Sequence, residues 1–275
     1  MVLAVPEFWF LVPTLMALGG LTGFLAGLLG IGGGIVLVPC LYAIFSLLGY
    51  PESELMHVAI GTSHAIIAIT AISSARAHWK RGGIDTVILP RLGVGIVCGV
   101  AAATFLVNDM SGTTLKLMFS LIIAVLAVLM IGGTDRFGSF KTGPHPVVHV
   151  GAGGIIGAVA TFLGIGGATL SVPYMTHCRL PIRQAVGTAA ALGLFIAIPA
   201  AIGFIFMGLD VPDRPPFSFG FVNLAAWVFV APVSIFSAPW GAKAAHSLPV
   251  QRLRSVFALI MILVSANMMF DVLHD

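Results

Sequence analysis

The stretch Gly23 to Pro39, GFLAGLLGIGGGIVLVP, recurs as Gly157 to Pro173, GAVATFLGIGGATLSVP. At a constant shift of 134 residues the copies share Gly23/Gly157, Ala26/Ala160, Leu29/Leu163, Gly30/Gly164, Ile31/Ile165, Gly32/Gly166, Gly33/Gly167, Val38/Val172 and Pro39/Pro173. The chain is a duplication, and what is duplicated is a glycine cluster inside apolar sequence. Glycine costs about 1 kcal/mol relative to alanine in a helix interior, and Gly30, Gly32, Gly33 and Gly34 crowd within five positions. Pro39 then interrupts the hydrogen-bond ladder again. A broken helix is expected here and at Gly164, Gly166 and Gly167.

Composition fixes the surroundings. Of 275 residues, 59% are hydrophobic and 8% charged, against roughly 25% charged in an ordinary soluble domain. So few charges cannot cover a water-exposed surface, and several apolar runs approach the roughly 20 residues a helix needs to cross a bilayer. The chain therefore reads as an all-α polytopic membrane protein with lipid as its surroundings. Its 13 Lys and Arg are scattered through short loops, which argues for membrane orientation and against a nucleic-acid partner. No basic residue precedes Arg76, so the first apolar segment reads as a retained span rather than a cleaved signal. Cys40, Cys98 and Cys178 have no CxxC spacing and read as small core residues. No cofactor and no metal site is expected.

Polar punctuation divides the chain into about ten apolar segments, near 8–30, 35–49, 55–77, 86–107, 114–132, 147–165, 168–178, 183–208, 217–242 and 252–271. Segments 35–49 and 168–178 are short, and both a tilted crossing and a re-entrant hairpin fit them. The duplication continues beyond the glycines. Ala59, Gly61 and Thr62 pair with Ala185, Gly187 and Thr188 at a shift of 126, and Asp85 pairs with Asn223 at 138. One transmembrane repeat spans 1–134 and the other 147–275, joined by the polar linker 135–146.

Short-loop Lys and Arg set orientation. With loops assigned alternately, eleven of the thirteen fall on one side, which becomes cytoplasmic, and only Lys116 and Arg214 on the other. That puts the linker inside and both termini in the periplasm. Corresponding loops then lie on opposite faces: the loop with Glu52 and Glu54 matches the one with Arg179 and Arg183, and the turn at Lys80 and Arg81 matches that at Asp210 and Asp213. The expectation is an inverted-topology repeat, an architecture of many secondary transporters.

A helix restarting after a break points bare N–H groups and a positive dipole end at whatever fills the gap, and the natural guest is an anion. The candidate substrate-binding set is Gly32, Gly33, Gly34, Gly166 and Gly167, joined by Thr62, Ser63 and Thr188 from the matched GTSHA and GTAAA stretches. The competing reading is close helix packing for the glycines, with the hydroxyls bonded to the preceding helical turn. His64, whose counterpart is Ala190, reads as a proton-coupling group or as a packed neutral histidine. Arg91 reads as snorkelling to the cytoplasmic face or as touching the anion, and Asp85 and Asn223 as N-caps.

The doubled G-x-x-G-I-G-G-G/A…V-P cluster, the G-T-S/A after it and the overall length resemble the TauE/SafE (TSUP, DUF81) family of sulfite-exporter-type permeases, over nearly the whole chain. The resemblance implies a permease of the bacterial cytoplasmic membrane for small sulfur-containing anions such as sulfite, sulfoacetate or other sulfonates. The expected function is an alternating-access secondary transporter driven by protons or by membrane potential. Alternatives are another small organic anion as substrate, a passive anion channel, or an intramembrane enzyme using Ser63 or His64. The last lacks a GxSxG motif and a carboxylate near that pair in sequence.

Overall fold

A computed structural model describes residues 5–29, 33–132, 145–212, 214–245 and 250–274. Among them ten helices form: α1 (Val5–Leu29), α2 (Gly34–Leu47), α3 (Glu52–Lys80), α4 (Ile88–Asn108), α5 (Gly112–Gly132), α6 (Pro146–Leu163), α7 (Ala168–His177), α8 (Ile182–Met207), α9 (Leu224–Ala245) and α10 (Val250–His274). Six have the length and apolarity to cross a membrane, namely α3, α4, α5, α6, α8 and α9. Helices α2 and α7 follow the glycine clusters and have 14 and 10 residues. At about 1.5 Å per residue these fall short of the roughly 30 Å of hydrocarbon. Pro39 and Pro173 lie inside them without ending them. Of the linker 135–146, residues 135–144 lie outside the described residues, and Pro146 already opens α6.

Helix α3 is the hub. Its apolar window is 72% buried, against 28–44% for the other five spanning helices. Glu52 and Glu54 in its first turn and Lys80 in its last complement the helix dipole. It packs against α8 in the opposite direction: Gly61 faces Phe204, Ala71 faces Gly193, and His78 faces Gly187. Two further pairs run in the same direction. Gly19 and Gly23 of α1 press on Val230 and Ser234 of α9, while Gly95 and Gly99 of α4 press on Val150 and Gly154 of α6.

These contacts are backbone to backbone. A Cβ on Gly19 would stand 2.7 Å from the Val230 carbonyl oxygen, and one on Gly157 would stand 2.9 Å from the Ile96 Cα. With lipid outside, helices gain little from apolar burial against each other, so close approach over small residues carries the packing. Gly23 and Gly157, matched across the duplication, are packing glycines.

Two expectations need correction. The ninth apolar segment was expected from 217, but residues 218–223 form a hairpin of β1 (Ser218–Phe219) and β2 (Val222–Asn223), and the helix starts at Leu224. Phe217 at φ 63° and Gly220 at φ 58° turn the chain there, in the left-handed region a helix does not use. Cys98 is exposed, not a core residue; a thiol is apolar enough to face lipid from α4.

Gly157→Val is expected to destabilise by about 1–3 kcal/mol through overpacking. Gly151→Val, on the same helix with nothing within 4 Å of its added Cβ, should leave stability near wild type. Thermal unfolding of the two variants in detergent checks the contrast.

Candidate functional site

The two glycine clusters do break the chain, and the breaks touch. Helix α6 stops at Leu163, Gly164 turns left-handed at φ 60°, residues 165–166 have no regular secondary structure, and α7 begins at Ala168. In the first half Gly33 caps α2 at φ 71°, and its carbonyl accepts from Val36 N at 3.1 Å and Leu37 N at 3.0 Å. Gly32 lies outside the described residues. Gly34 sits directly on the second break: a Cβ there would lie 2.8 Å from Ile165 Cα and against the Gly164 carbonyl. Gly164 in turn packs under Val38 of α2 and Ile60 of α3. Gly166 is buried, and Gly167 rests against Ile196, Gly193 and Ala189 of α8.

The GTSHA stretch of α3 is wholly enclosed, with Thr62, Ser63 and His64 each at 0% exposure. Ser63 does not bond its own helix. Its hydroxyl donates to the Gly164 carbonyl at 2.6 Å, which satisfies the acceptor that the αL turn exposes. His64 Nε2 lies 3.3 Å from the Thr161 carbonyl, so α3 holds the end of α6 at two carbonyls. His64 Nδ1 and the hydroxyl of Thr169, two residues into α7, are buried without a hydrogen-bond partner. Buried polar atoms are nearly always paired. His57 Nδ1, toward the start of α3, is the third such atom among the described residues.

The matched threonines perform a different task. Thr62 Oγ1 accepts from Asn223 N at 2.8 Å, and Thr188 Oγ1 accepts from Asp85 N at 2.9 Å. Each threonine belongs to one half and serves the turn of the other. The glycine preceding each threonine makes room: Gly61 admits the Phe221 carbonyl and Gly187 the Gly83 carbonyl. Asp85 and Asn223 are N-caps, Asp85 Oδ1 accepting from Val87 N and Ile88 N, Asn223 Oδ1 from Ala226 N.

Arg91 is not brought to the breaks. It lies in the first turn of α4, and its charge acts on His149 near the start of α6. Fifteen residues of helix separate His149 from Gly164, about 22 Å along α6. The sequence reading missed Thr169, because its counterpart at the shift of 134 is Ile35 and the comparison of copies raised no polar signal. It also missed the pair formed by Tyr174 Oη and His149 Nδ1 at 2.9 Å.

Broken helices meeting in the interior are an architecture found in membrane transporters, and the comparisons with known proteins give that class. Residues 15–268 match the sulfite exporter TauE/SafE family, and the chain belongs to that family. A probable membrane transporter protein of Haemophilus influenzae is 35% identical over 92% of this chain and 96% of its own length. One of Methanocaldococcus jannaschii is 25% identical over 93% and 94%, and the Bacillus subtilis protein YunE is 24% identical over 94% and 97%. No solved structure gives a match. The protein is thus a transporter and not an enzyme.

Thr62→Val and Thr188→Val each strand an N–H, at an expected cost of about 1–3 kcal/mol, while serine at either place retains the acceptor. The two bonds lie about 24 Å apart along α3, so the costs should add in the double variant. Detergent unfolding curves of the singles and the double test this.

Proposed function

We propose that the chain is an alternating-access secondary transporter of a small sulfur-containing oxyanion, sulfite or an organosulfonate such as sulfoacetate. The anion sits where the two breaks meet. The observation that carries this reading is the pair of unpartnered buried atoms at the second break, Thr169 Oγ1 and His64 Nδ1. Thr169 lies in the first turn of α7, whose amides have no intrahelical partners, and His64 bonds the last turn of α6 at Thr161. A sulfonate or sulfite offers several acceptor oxygens, which suits amides and a hydroxyl without an intramembrane lysine. Gly33, Gly34 and Gly167 bring the breaks close to each other and to α8, Gly166 adds bare backbone between them, Ser63 holds the Gly164 carbonyl, and Thr62 and Thr188 hold the frame.

Alternating access needs two halves that exchange roles, and the helix directions support an inverted repeat of 1–134 and 147–275. Helix α9 starts beside the first half of α3, where Asn223 meets Thr62 and Trp227 Nε1 donates to the Ala65 carbonyl at 3.1 Å, so the two run together. Helix α4 likewise runs with α8, from Asp85 at Thr188 to Thr104 at Gly203. Since α3 opposes α8, the counterparts α4 and α9 oppose each other, and α1 and α6 follow them. Coupling is to protons through His64 or to the membrane potential, which by itself drives an anion out of a negative-inside cell. The surrounding membrane is the bacterial inner membrane, with the linker and Lys80 cytoplasmic and both termini periplasmic.

Sulfite or sulfoacetate flux into proteoliposomes should fall about tenfold or more in Thr169→Val, the scale of a hydrogen bond to a charged group, and vanish in Gly167→Leu. Wild-type flux in both variants would falsify the site, and absence of counterflow would make the protein a channel. For sidedness, an impermeant thiol reagent on intact cells should label Asp210→Cys and spare Lys80→Cys in a cysteine-free background. The reverse pattern inverts the assigned orientation.

A further inference from the structure

Helix α3 is longer than its membrane. Its 29 residues span about 44 Å, against roughly 30 Å of hydrocarbon. From Leu55 to His64 it is fully enclosed, but in its last three turns one face emerges. Ile69, Ile72, Ser73, Arg76, Ala77 and Lys80 recur at helical spacing on that face and, with Arg81, form one open, shallow strip along the helix end. The order along the axis is graded: isoleucines deepest, then Ser73 and Arg76, then Lys80 and Arg81 at the helix end. Arg76 and Lys80 are one turn apart and share a side. Among the described residues no carboxylate pairs with any of the three cations.

The second half supplies an internal control. At the shift of 126 that pairs Thr62 with Thr188, the corresponding face of α8 carries Phe195, Ile198, Ile202 and Phe206, all exposed and none charged. An exposed apolar face of a spanning helix faces lipid. The first-half copy keeps the apolar foot and adds three cations at its end only.

We propose that this face of α3 is a binding site for an anionic phospholipid, the phosphate held by Arg76, Lys80 and Arg81 and an acyl chain lying along Ile69, Ile72 and Ala77. A free oxyanion would use the cations but not the isoleucine wall; a phospholipid uses both, in the order in which they occur. Basic clusters at the end of a spanning helix attract anionic headgroups, each Lys or Arg adding to the preference. The proposal stands apart from the transport reading and from the orientation of the chain.

The test uses the delipidated full-length protein in detergent, titrated separately with phosphatidylglycerol, phosphatidylcholine and inorganic phosphate. Retained lipid is counted by native mass spectrometry and stabilisation is followed by thermal unfolding. Wild type should prefer phosphatidylglycerol over phosphatidylcholine by about tenfold or more, the scale expected of three cations. Arg76→Gln/Lys80→Gln/Arg81→Gln should lose that preference, and Arg214→Gln/Lys243→Gln, with charge removed elsewhere, should keep it. If the triple variant does not fold, Arg76→Gln and Lys80→Gln singly should each show a partial loss. An undiminished preference in these variants, or millimolar phosphate reproducing the lipid's stabilisation, overturns the proposal.

Discussion

The hydrogen bond from the Asn223 amide to Thr62, with its twin from the Asp85 amide to Thr188, is the constraint on which the arrangement rests. A spanning protein has no water at depth to satisfy backbone groups where a chain leaves its helix. The connections after the two central helices fold back against the opposite helix at Asp85 and at Asn223, and each would bury an amide there. The threonines accept those amides, and Gly61 and Gly187 let the connections close in. Because each bond crosses from one half to the other, neither half completes its own backbone pairing alone. Helices α3 and α8 are held antiparallel at both ends.

Within that frame the halves are alike in backbone and unlike in chemistry. Ser63 and His64 fasten α3 to the Gly164 and Thr161 carbonyls at the end of α6. The corresponding positions on α8, Ala189 and Ala190, offer nothing to hydrogen-bond. The polar groups around the second break, Thr169 among them, likewise have no match in the first. A duplicated scaffold thus carries a one-sided set of donors.

Glycine has three separate uses here. Gly33 and Gly164 take up left-handed φ values that end or begin helices. Gly34 and Gly164 bring the two breaks into contact, and Gly19, Gly23, Gly95, Gly99, Gly153 and Gly157 let parallel helices meet backbone to backbone. The resemblance of the doubled cluster to the TauE/SafE family was legible because the turns, the contact between the breaks and the packing at Gly23 and Gly157 fall on one short motif.

By itself the sequence determined the class, the ten helical segments, the duplication and the helix breaks. These follow from composition, period and local backbone cost, which need no knowledge of neighbours. It also marked Asp85 and Asn223 as caps, since capping acts within a turn. Only the tertiary structure decided which hydroxyl serves which carbonyl. Thr62 and Thr188 stood among the binding candidates, but their partners lie more than a hundred residues away, beyond any local rule. That Arg91 lies away from the breaks and that the Thr169 hydroxyl is buried without a partner are likewise tertiary facts, because an unpaired buried atom is defined by what surrounds it. The hairpin before α9 was invisible because Phe217 adopts a left-handed φ that its residue type does not announce.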